Sequence, residues 1–465
     1  MTRILDAIIQ YGILAFVFLI PWQARLIISE GQINGGLACN ACARIAGRYW
    51  EYGTQSLYAT EILLLGVLLA LIAKGISHYK KHKPRFYAHR LLTMPGRLFV
   101  FLVWVGISIV WSIDREAALE HWIVLVEASA VFLVLASGAI QFRALSWAVI
   151  LSGVIQAAAA FIQFRFSWLP ASSFFGMAYQ HASILGASVV ETDMARWLRG
   201  YGSFPHPNIL GGWLALGLLL AVKEAVRRGR SAASTLSYIP IAIMSVGLAV
   251  TFSRSAWLAF GVGIAVLIVG VIARSVATKQ SREQRNSDGI TSPPFRRLAM
   301  TLGVMLLFVG TLVWSYPEPF NERVFGSGRL ETKSSEERSG GISEALQLIQ
   351  KHPFMGVGVG NYGLAVHRDI DNSQPAYYYQ PVHNVLLLVL AELGVIGLIL
   401  MIWLAVSLRG AIAPKQSYQS MAAGLSVLLP ITVLAFFDHY VWSLYAGVMI
   451  GAVYVGIFYL KLAKN

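Results

Sequence analysis

The sequence predicts an all-α polytopic membrane protein with about twelve transmembrane helices. Three observations support this fold class: 56% of the 465 residues are hydrophobic, only 13% are charged, and the mean hydropathy is +0.61. A soluble core cannot hide this much apolar surface, so most of the chain is expected to face lipid. The apolar stretches run to about 20 residues, which suits spanning helices rather than the roughly 10-residue alternating strands of a membrane barrel.

The individual helices follow from apolar runs of spanning length. They are expected at 8–22, 57–76, 98–112, 119–137, 146–164, 208–222, 236–251, 256–273, 298–316, 384–407, 419–437 and 442–460. This pattern divides the chain into nine helices with short loops (1–316), one large loop (317–383) and three final helices (384–465). The polar segment 274–297 is predicted to be a flexible loop.

The placement of Lys and Arg gives the orientation of the helices. Of the 37 basic residues, 23 fall on the side of the bundle that holds both termini, although the longer connections lie on the other side. The positive-inside rule therefore predicts cytoplasmic termini and extracytoplasmic long loops. The net charge of +14 arises largely from these short basic segments, which attract anionic lipid headgroups, so no nucleic-acid partner is expected.

Two cysteines, Cys39 and Cys42, are too few for a disulfide framework or a zinc site. A local disulfide outside the cytoplasm and a pair of idle small residues are both compatible with their spacing. The sequence contains no GxxxxGK[ST], HExxH, GxSxG or EF-hand pattern, which argues against nucleotide hydrolysis, zinc proteolysis and serine hydrolysis. No metal site is expected.

The loop 317–383 is the candidate functional element, because so long a stretch without a spanning helix is unusual between two that span. Residues 340–353 carry apolar side chains at helical spacing and end at Pro353, which predicts an amphipathic helix near the membrane surface. The glycines that follow, at 356, 358 and 360, predict a turn.

Arginines near this loop are candidates for binding an anion. Arg254 lies in TFSRSAW, a connection so short that it holds the side chain at the ends of two helices. Arg338 and Arg329 precede the amphipathic helix. The planar, permanently charged guanidinium suits a diphosphate, although loop arginines are also often solvated surface charges or partners of nearby glutamates.

Histidines at two helix starts are candidates for acid–base work. His383 and Asn384 lie where the long loop enters its closing helix, and the neutral imidazole is a natural general base for a hydroxyl nucleophile. An ordinary interfacial histidine would look the same. His206 and Asn208 begin another helix from the same side, where Asn208 is expected to cap the helix.

Four segments occur in the order found in the O-antigen ligase and polymerase superfamily, which this chain resembles. They are GSFPHPNILGGWLAL (202–216), TFSRSAWLA (251–259), the stretch from Arg338 through KHPFMGVGVGNY (351–362), and HNVLLLVLAELGVIGLI (383–399). Where many relatives have a bulky residue after the loop arginine, this chain has Gly340, Gly341 and Ile342.

The resemblance implies a GT-C-like glycosyltransferase of the bacterial inner membrane, with a periplasmic active site, no metal and no cofactor. In the ligases the donor is a glycan on undecaprenyl diphosphate, and the acceptor is the lipid A-core. Carried over by position, Arg254 and Arg338 match arginines that hold the donor diphosphate, and His383 matches the histidine proposed to activate the acceptor hydroxyl.

Other functions remain open at this point. The same superfamily includes O-antigen polymerases and protein O-oligosaccharyltransferases, which the sequence separates poorly from ligases. A transporter of a lipid or solute is an alternative of a different class, which predicts internal repeats and broken helices that meet at the midplane. The sequence shows no internal repeat, and its candidate residues gather toward one membrane face.

Overall fold

The computed structural model describes residues 2–33, 49–79, 93–227, 236–283, 293–408 and 418–463. Cys39 and Cys42 lie outside these residues. The described part is mostly helical, as predicted. The helices are α1 (Thr2–Leu19), α2 (Ala59–Tyr79), α3 (Met94–Ser108), α4 (Arg115–Ala136), α5 (Phe142–Phe166), α6 (Pro207–Arg227), α7 (Tyr238–Val250), α8 (Arg254–Glu283), α9 (Pro293–Ser315), α10 (Pro317–Phe325), α11 (Arg329–Lys351), α12 (Tyr362–Asp369), α13 (Val385–Ser407), α14 (Tyr418–Phe437), α15 (Tyr440–Ser443) and α16 (Tyr445–Ala463).

Each of the twelve predicted apolar runs coincides with one of these helices. Within the described residues, eight helices are long and apolar enough to cross a membrane: α2 to α6, α8, α9 and α13. The other four runs coincide with α1 and with three shorter apolar helices, Tyr238–Val250, Gly424–Phe437 and Tyr445–Leu460. The protein is therefore a multi-pass helical membrane protein.

Helix α6 lies at the centre of the bundle, and most of its residues are buried. It packs against α5, α7 and α8, and α14 and α16 also contact it. Gly212 allows the close approach, because a Cβ at this position would lie 2.3 Å from the Tyr440 hydroxyl oxygen. The Tyr454 hydroxyl donates a hydrogen bond of 2.7 Å to the Gly212 carbonyl oxygen. The N-terminal part of α6 thereby packs against α15, which carries Tyr440, and against α16, which carries Tyr454.

The described residues contain three two-stranded antiparallel sheets that the sequence did not predict, in the connections between helices. They pair β1 (Arg25–Ser29) with β2 (Gln55–Tyr58), β3 (Trp168–Leu169) with β4 (Gln180–His181), and β5 (Val189–Glu191) with β6 (Arg196–Leu198). Strand β2 reaches the start of the helix predicted at 57–76. Hydropathy does not reveal such short strands, because each depends on a partner segment rather than on its own periodicity.

Two predicted boundaries were wrong. Helix α11 begins at Arg329 rather than near residue 340, so Arg338 lies inside a helix and the Gly340–Gly341 pair does not start it. Helix α8 continues to Glu283, through the first part of the predicted flexible loop 274–297. Alanine, lysine, glutamine, arginine and glutamate are good helix formers, which explains this extension. Residues 284–292 of that loop lie outside the described part.

The glycine-rich turn docks against a break in α13. Gly394 has φ 67° and ψ −174° inside the helix, a backbone conformation that L side chains rarely adopt. The freed backbone groups are satisfied by the turn: Gly358 N–H donates to the Glu392 carbonyl oxygen at 2.8 Å, and Val395 N–H donates to the Pro353 carbonyl oxygen at 2.9 Å. This contact ties the segment after α11 to the helix that follows His383.

Candidate active site

Five connecting segments meet at one end of the bundle. They contain Arg199 to Asn208, the turn before α8, helices α10 and α11, the start of α13, and the junction of α14 with α15. The contacts described below join residues up to 230 positions apart in the chain. The candidate residues of the sequence therefore share one face of the protein.

His383 contacts a buried carboxylate. Its Nδ1 atom is buried, makes no hydrogen bond within the described residues, and lies 3.5 Å from Asp438 Oδ1. The Asp438 side chain is 4% exposed, whereas His383 keeps 27% of its side-chain surface exposed. An imidazole with one nitrogen toward a buried carboxylate and an accessible edge has the arrangement of a general base with its orienting group.

Two asparagines hold this pair in place. Asn208 Nδ2 donates to Asp438 Oδ2 at 2.7 Å. Asn384 Oδ1 accepts from the Leu387 N–H at 3.0 Å, so it caps α13, and its Nδ2 donates to the Phe436 carbonyl oxygen at 3.2 Å. The expectation that Asn208 caps α6 was wrong, because its side chain is used for tertiary contacts to Asp438 and Arg199.

Two further histidines flank Asp438. The ring of His439 lies 4.9 Å from that of His383, and its Nδ1 is 2.6 Å from Ser443 Oγ. His206 Nδ1 accepts from the Asn208 N–H at 3.1 Å, and its Nε2 lies 3.1 Å from Ser188 Oγ. The structure thus brings His206 beside Asp438 through Asn208.

Burial controls the protonation of these groups. It lowers the pKa of His439 to about 3, and it lowers the pKa of His206 to about 3 with help from the charge of Arg199. Burial alone would raise the pKa of the Asp438 carboxyl, but the adjacent imidazoles of His383, His439 and His206 outweigh it and hold that pKa well below its usual range. Near neutral pH the centre holds an ionised Asp438 between neutral His439 and His206.

A buried arginine that the sequence analysis did not select extends the network. Arg199 Nη2 donates to Asn208 Oδ1 at 2.6 Å, and its Nε donates to the Thr251 carbonyl oxygen at 2.7 Å. Burial, followed by the charge of Arg323, lowers the Arg199 pKa to about 9. Arg199 therefore connects the Asp438 carboxylate, through Asn208, to the turn that precedes Arg254.

Arg254 belongs to a second polar group on the other side of that turn. Its Nη2 lies 3.0 Å from Glu331 Oε2, and 42% of its side-chain surface is exposed. Arg323 forms a buried ion pair with Glu331 and donates from Nε to the Phe252 carbonyl oxygen at 2.7 Å. Phe252 has a positive φ of 48°, which is strained for a residue with a side chain, so the turn is held by its surroundings.

Arg338 lies within electrostatic range of this group. Burial lowers the Arg323 pKa, the Glu331 carboxylate raises it, and the charges of Arg254 and Arg338 lower it further. The charges of Arg254 and Arg338 thus both act on Arg323, and Glu331 lies between Arg254 and Arg323. Guanidinium groups so arranged suit an anion, and Arg254 is accessible at the edge of the cluster.

Arg329 is placed differently from Arg254 and Arg338. Its Nη2 lies 3.0 Å from Glu191 Oε2 on strand β5, and its side chain is 68% exposed. Glu191 also pairs with Arg196 at 3.5 Å. The charge of Arg329 is thus directed to the surface of a hairpin.

The same centre contains donors that suit a metal ion. One ligand atom from each of His383, Asp438 and His439 lies within 4.8 Å of the others. Two imidazoles and a carboxylate form a donor set that zinc accepts in proteins. Two of the three residues are buried, and Asp438 also accepts hydrogen bonds from Asn208 and from the His439 N–H.

A comparison with protein-family models finds one family that matches part of the chain. The model of a family described as O-antigen ligase matches residues 239–402. The predicted resemblance to the O-antigen ligase family is confirmed. The match includes Arg254, Arg323, Arg338 and His383, and it covers less than half of the chain. A search of curated proteins found no match.

The part of the site outside the O-antigen ligase match was largely missed by the sequence analysis. Asp438, His439 and Arg199 were not candidates, although they contact or neighbour the selected residues. One signal was available: Asp438 and His439 are ionisable residues placed at the junction of two apolar runs. Arg199 and Arg323 offered no pattern, because their importance arises from burial beside distant segments.

Proposed function

We propose that this chain is an O-antigen ligase. It transfers a glycan from undecaprenyl diphosphate to the lipid A-core on the periplasmic side of the bacterial inner membrane. The proposal includes twelve membrane spans with a GT-C-like architecture, both termini in the cytoplasm, and the division into 1–316, 317–383 and 384–465. The observation that carries it is the His383–Asp438 pair beside an arginine cluster within one network of contacts.

The proposed mechanism assigns a role to each group. Arg254 and Arg338 bind the donor diphosphate, and their positive charge stabilises the negative charge that develops when the bond from C1 to the phosphate oxygen breaks. Arg323 and Glu331 fix Arg254 in position. Arg329 was predicted for the same diphosphate-binding role. Because it pairs with Glu191, it is assigned a weaker, peripheral part.

His383 acts on the acceptor. Its Nδ1 faces Asp438, so Nε2 takes the proton from the acceptor hydroxyl as the oxygen attacks C1 from the side opposite the diphosphate. The configuration at C1 is inverted. Asn208 and Asn384 support the carboxylate and the helix start, and His206 lies behind Asn208. No step of this mechanism requires a metal ion.

A test in cells compares matched histidine variants. His383→Ala is expected to abolish long-chain ladders on lipopolysaccharide while lipid-linked polymer accumulates. His352→Ala is the control, because His352 also lies beside an aspartate, with its Nε2 3.3 Å from Asp369 Oδ2, but outside the site. Ladders that persist in a correctly inserted His383→Ala protein would overturn the assignment.

The alternatives give other results in the same test. A polymerase would leave single-repeat lipopolysaccharide when it is inactivated, and a protein O-oligosaccharyltransferase would leave lipopolysaccharide unchanged. The transporter alternative draws on one observation, the break of α13 at Gly394. A transporter would move the donor lipid without forming a new glycosidic bond.

A further inference from the structure

A polar cavity of about 110 Å³ is lined in part by Tyr52, whose hydroxyl lies beside His439, the neighbour of Asp438. It is enclosed by the β1–β2 hairpin with the segment before it, the first turns of α4, and the junction of α15 with α16. Its lining combines charged and aromatic side chains: Arg25, Glu51, Tyr52, Tyr58, Glu120 and Trp442. The mechanism above uses none of these groups.

The lining is held in a fixed arrangement. Arg25 Nη1 donates to the Tyr58 hydroxyl at 3.2 Å, and the Tyr58 ring stacks on Tyr445 with centroids 4.1 Å apart. Glu120 Oε1 accepts from the Ser56 N–H at 2.9 Å. His121 also lines the cavity, and its Nε2 atom is buried without a hydrogen-bond partner within the described residues.

Tyr52 connects the cavity to the proposed base. Its hydroxyl lies 3.5 Å from His439 Nε2, and the two rings meet edge to face at 5.6 Å. The His439 ring in turn lies 4.9 Å from that of His383. The cavity therefore adjoins the His383–Asp438 pair through His439.

The arginine cluster adjoins the same pair through other residues. From Asp438 the contacts pass through Asn208 and Arg199 to the turn at Thr251 and Phe252, and then to Arg323 and Arg254. The network thus places His383 between two binding regions. One is the cationic arginine cluster, and the other is the cavity, whose lining has both charges and aromatic rings. In an inverting displacement the acceptor approaches the reacting carbon opposite the leaving group. If the arginines hold the diphosphate, the cavity is on the acceptor side.

The chemistry of the lining indicates what kind of group binds there. Carboxyl groups accept hydrogen bonds from sugar hydroxyls, and aromatic rings pack against the apolar faces of sugar rings. Arg25 is the single arginine among the lining residues and faces two carboxyl groups, Glu51 and Glu120, so no positive charge is left over for a phosphate. A neutral pyranose fits this lining better than a phosphorylated one.

We infer that this cavity binds the acceptor saccharide, and that it selects a sugar that carries free hydroxyls and no phosphate. The inference rests on the proposed function. In the transfer step the acceptor oxygen forms a bond to C1 of the donor sugar, and the bond from C1 to the diphosphate oxygen breaks. The electron pair leaves with the diphosphate, and the hydroxyl proton passes to His383 Nε2.

The test measures binding without turnover. Purified protein in detergent is titrated with a fluorescently labelled core oligosaccharide stripped of its phosphates, with the phosphorylated form, and separately with undecaprenyl diphosphate. Glu120→Gln is compared with Glu116→Gln, the same change one helical turn away, whose carboxylate accepts from Gln55 Nε2. We expect Glu120→Gln to weaken dephosphorylated oligosaccharide binding about tenfold, with lipid binding unchanged, and Glu116→Gln to change neither.

A second variant guards against misfolding. Tyr52→Phe retains the ring and removes only the hydroxyl, and it is expected to weaken oligosaccharide binding severalfold. The inference is overturned if the wild-type protein does not bind the dephosphorylated oligosaccharide, if it prefers the phosphorylated form, or if both variants bind it normally. It is also overturned if the variants weaken lipid binding instead. Because no transfer is measured, failure of catalysis counts only against the proposed function.

Discussion

The two ends of the helical bundle both carry basic residues, but they use them differently. At one end, Lys74 pairs with Asp6 at 2.5 Å, with both side chains about half exposed, and Arg227 pairs with Glu224 three residues earlier at 2.9 Å. At the other end, Arg199 and Arg323 are buried and donate to the consecutive carbonyls of Thr251 and Phe252.

The exposed pairs at the first end bear on the orientation of the helices, and the buried arginines at the second end bear on the candidate site. Exposed pairs in solvent contribute little energy and serve mainly to orient the helices. Buried arginines lose their hydration, so they persist only where several partners satisfy them, and such partners build a rigid site. The charge count predicts which end is cytoplasmic, whereas burial marks the end where chemistry is expected.

The largest effect is expected from Asp438→Asn. The asparagine retains the size of the side chain but removes the charge that stabilises a protonated His383. We expect transfer by the purified protein to fall by about 100-fold or more, with donor binding unchanged. The control is Asp369→Asn, which removes the aspartate beside His352. Activity near the wild-type level in Asp438→Asn would contradict the assigned role of the carboxylate.

A smaller effect is expected from Arg254→Ala. Loss of one charge-assisted contact to the diphosphate, in the bound donor and in the transition state, should lower kcat/KM for the lipid-linked donor by about tenfold, or about 1.4 kcal/mol. Arg329→Ala should change this kcat/KM less, because Glu191 already holds that side chain. Arg368→Ala is the matched control, since Arg368 pairs with Asp369 outside the site. If the Arg254 and Arg329 variants have equal effects, the two arginines contribute equally to donor binding and Arg329 is not peripheral.

The buried histidines predict a pH dependence of stability. His439 and His206 have folded-state pKa values of about 3, below the unfolded value of about 6.5, so the unfolded chain binds more protons between these limits. Stability should therefore fall as the pH drops from about 6.5 toward 3, by at most about 1.4 kcal/mol per pH unit for each histidine. Asp438 stays ionised in the folded protein because its pKa is held low, whereas an unfolded aspartate takes up protons below about pH 5, so Asp438 adds a decline of the same sign at the acid end of this window.

Thermal unfolding in detergent at several pH values checks this dependence. His439→Gln should show a shallower decline of the unfolding midpoint between pH 6.5 and 4 than the wild-type protein. His181→Gln is the control, because His181 lies on an exposed hairpin where its Nδ1 contacts Ser183. A wild-type midpoint that does not change across this range would show that the two histidines are not buried as neutral groups.

The smallest effect is expected at the opposite end of the bundle. Lys74→Ala removes an exposed ion pair with Asp6, so stability should change by no more than about 0.5 kcal/mol and transfer should be unchanged. Unfolding and transfer assays on the same sample measure both. A large loss of transfer in Lys74→Ala would mean that the end of the bundle that carries Lys74 also takes part in the reaction.

Much of the fold was predictable because the membrane imposes a simple rule. Spanning helices must be apolar over their full length, so hydropathy located a helix at each of the twelve predicted runs, and eight of the described helices are long and apolar enough to span. The hairpins were not predictable in this way, since Arg25 pairs with Tyr58 across an intervening segment. The start of α11 was misjudged because the Gly340–Gly341 pair usually interrupts a helix, whereas here the helix continues through it.

The candidate site was predictable only where local motifs exist. Arg254, Arg338 and His383 lie in segments that resemble a family, and two of them share the arginine region. Asp438 contacts Asn208, 230 residues earlier, and no local pattern encodes that proximity. Arg199 likewise becomes informative only when tertiary packing buries it.

Reconstituted transfer tests the central claim most directly. Purified wild-type protein, His383→Ala and His352→Ala are mixed with undecaprenyl-diphosphate-linked glycan and lipid A-core in the presence of a chelator, and the new glycolipid is measured. The account predicts product from the wild-type and His352→Ala proteins and none from His383→Ala, although all three bind the donor. Product from His383→Ala at the wild-type rate, or wild-type activity that appears only when a metal ion is restored, would contradict it.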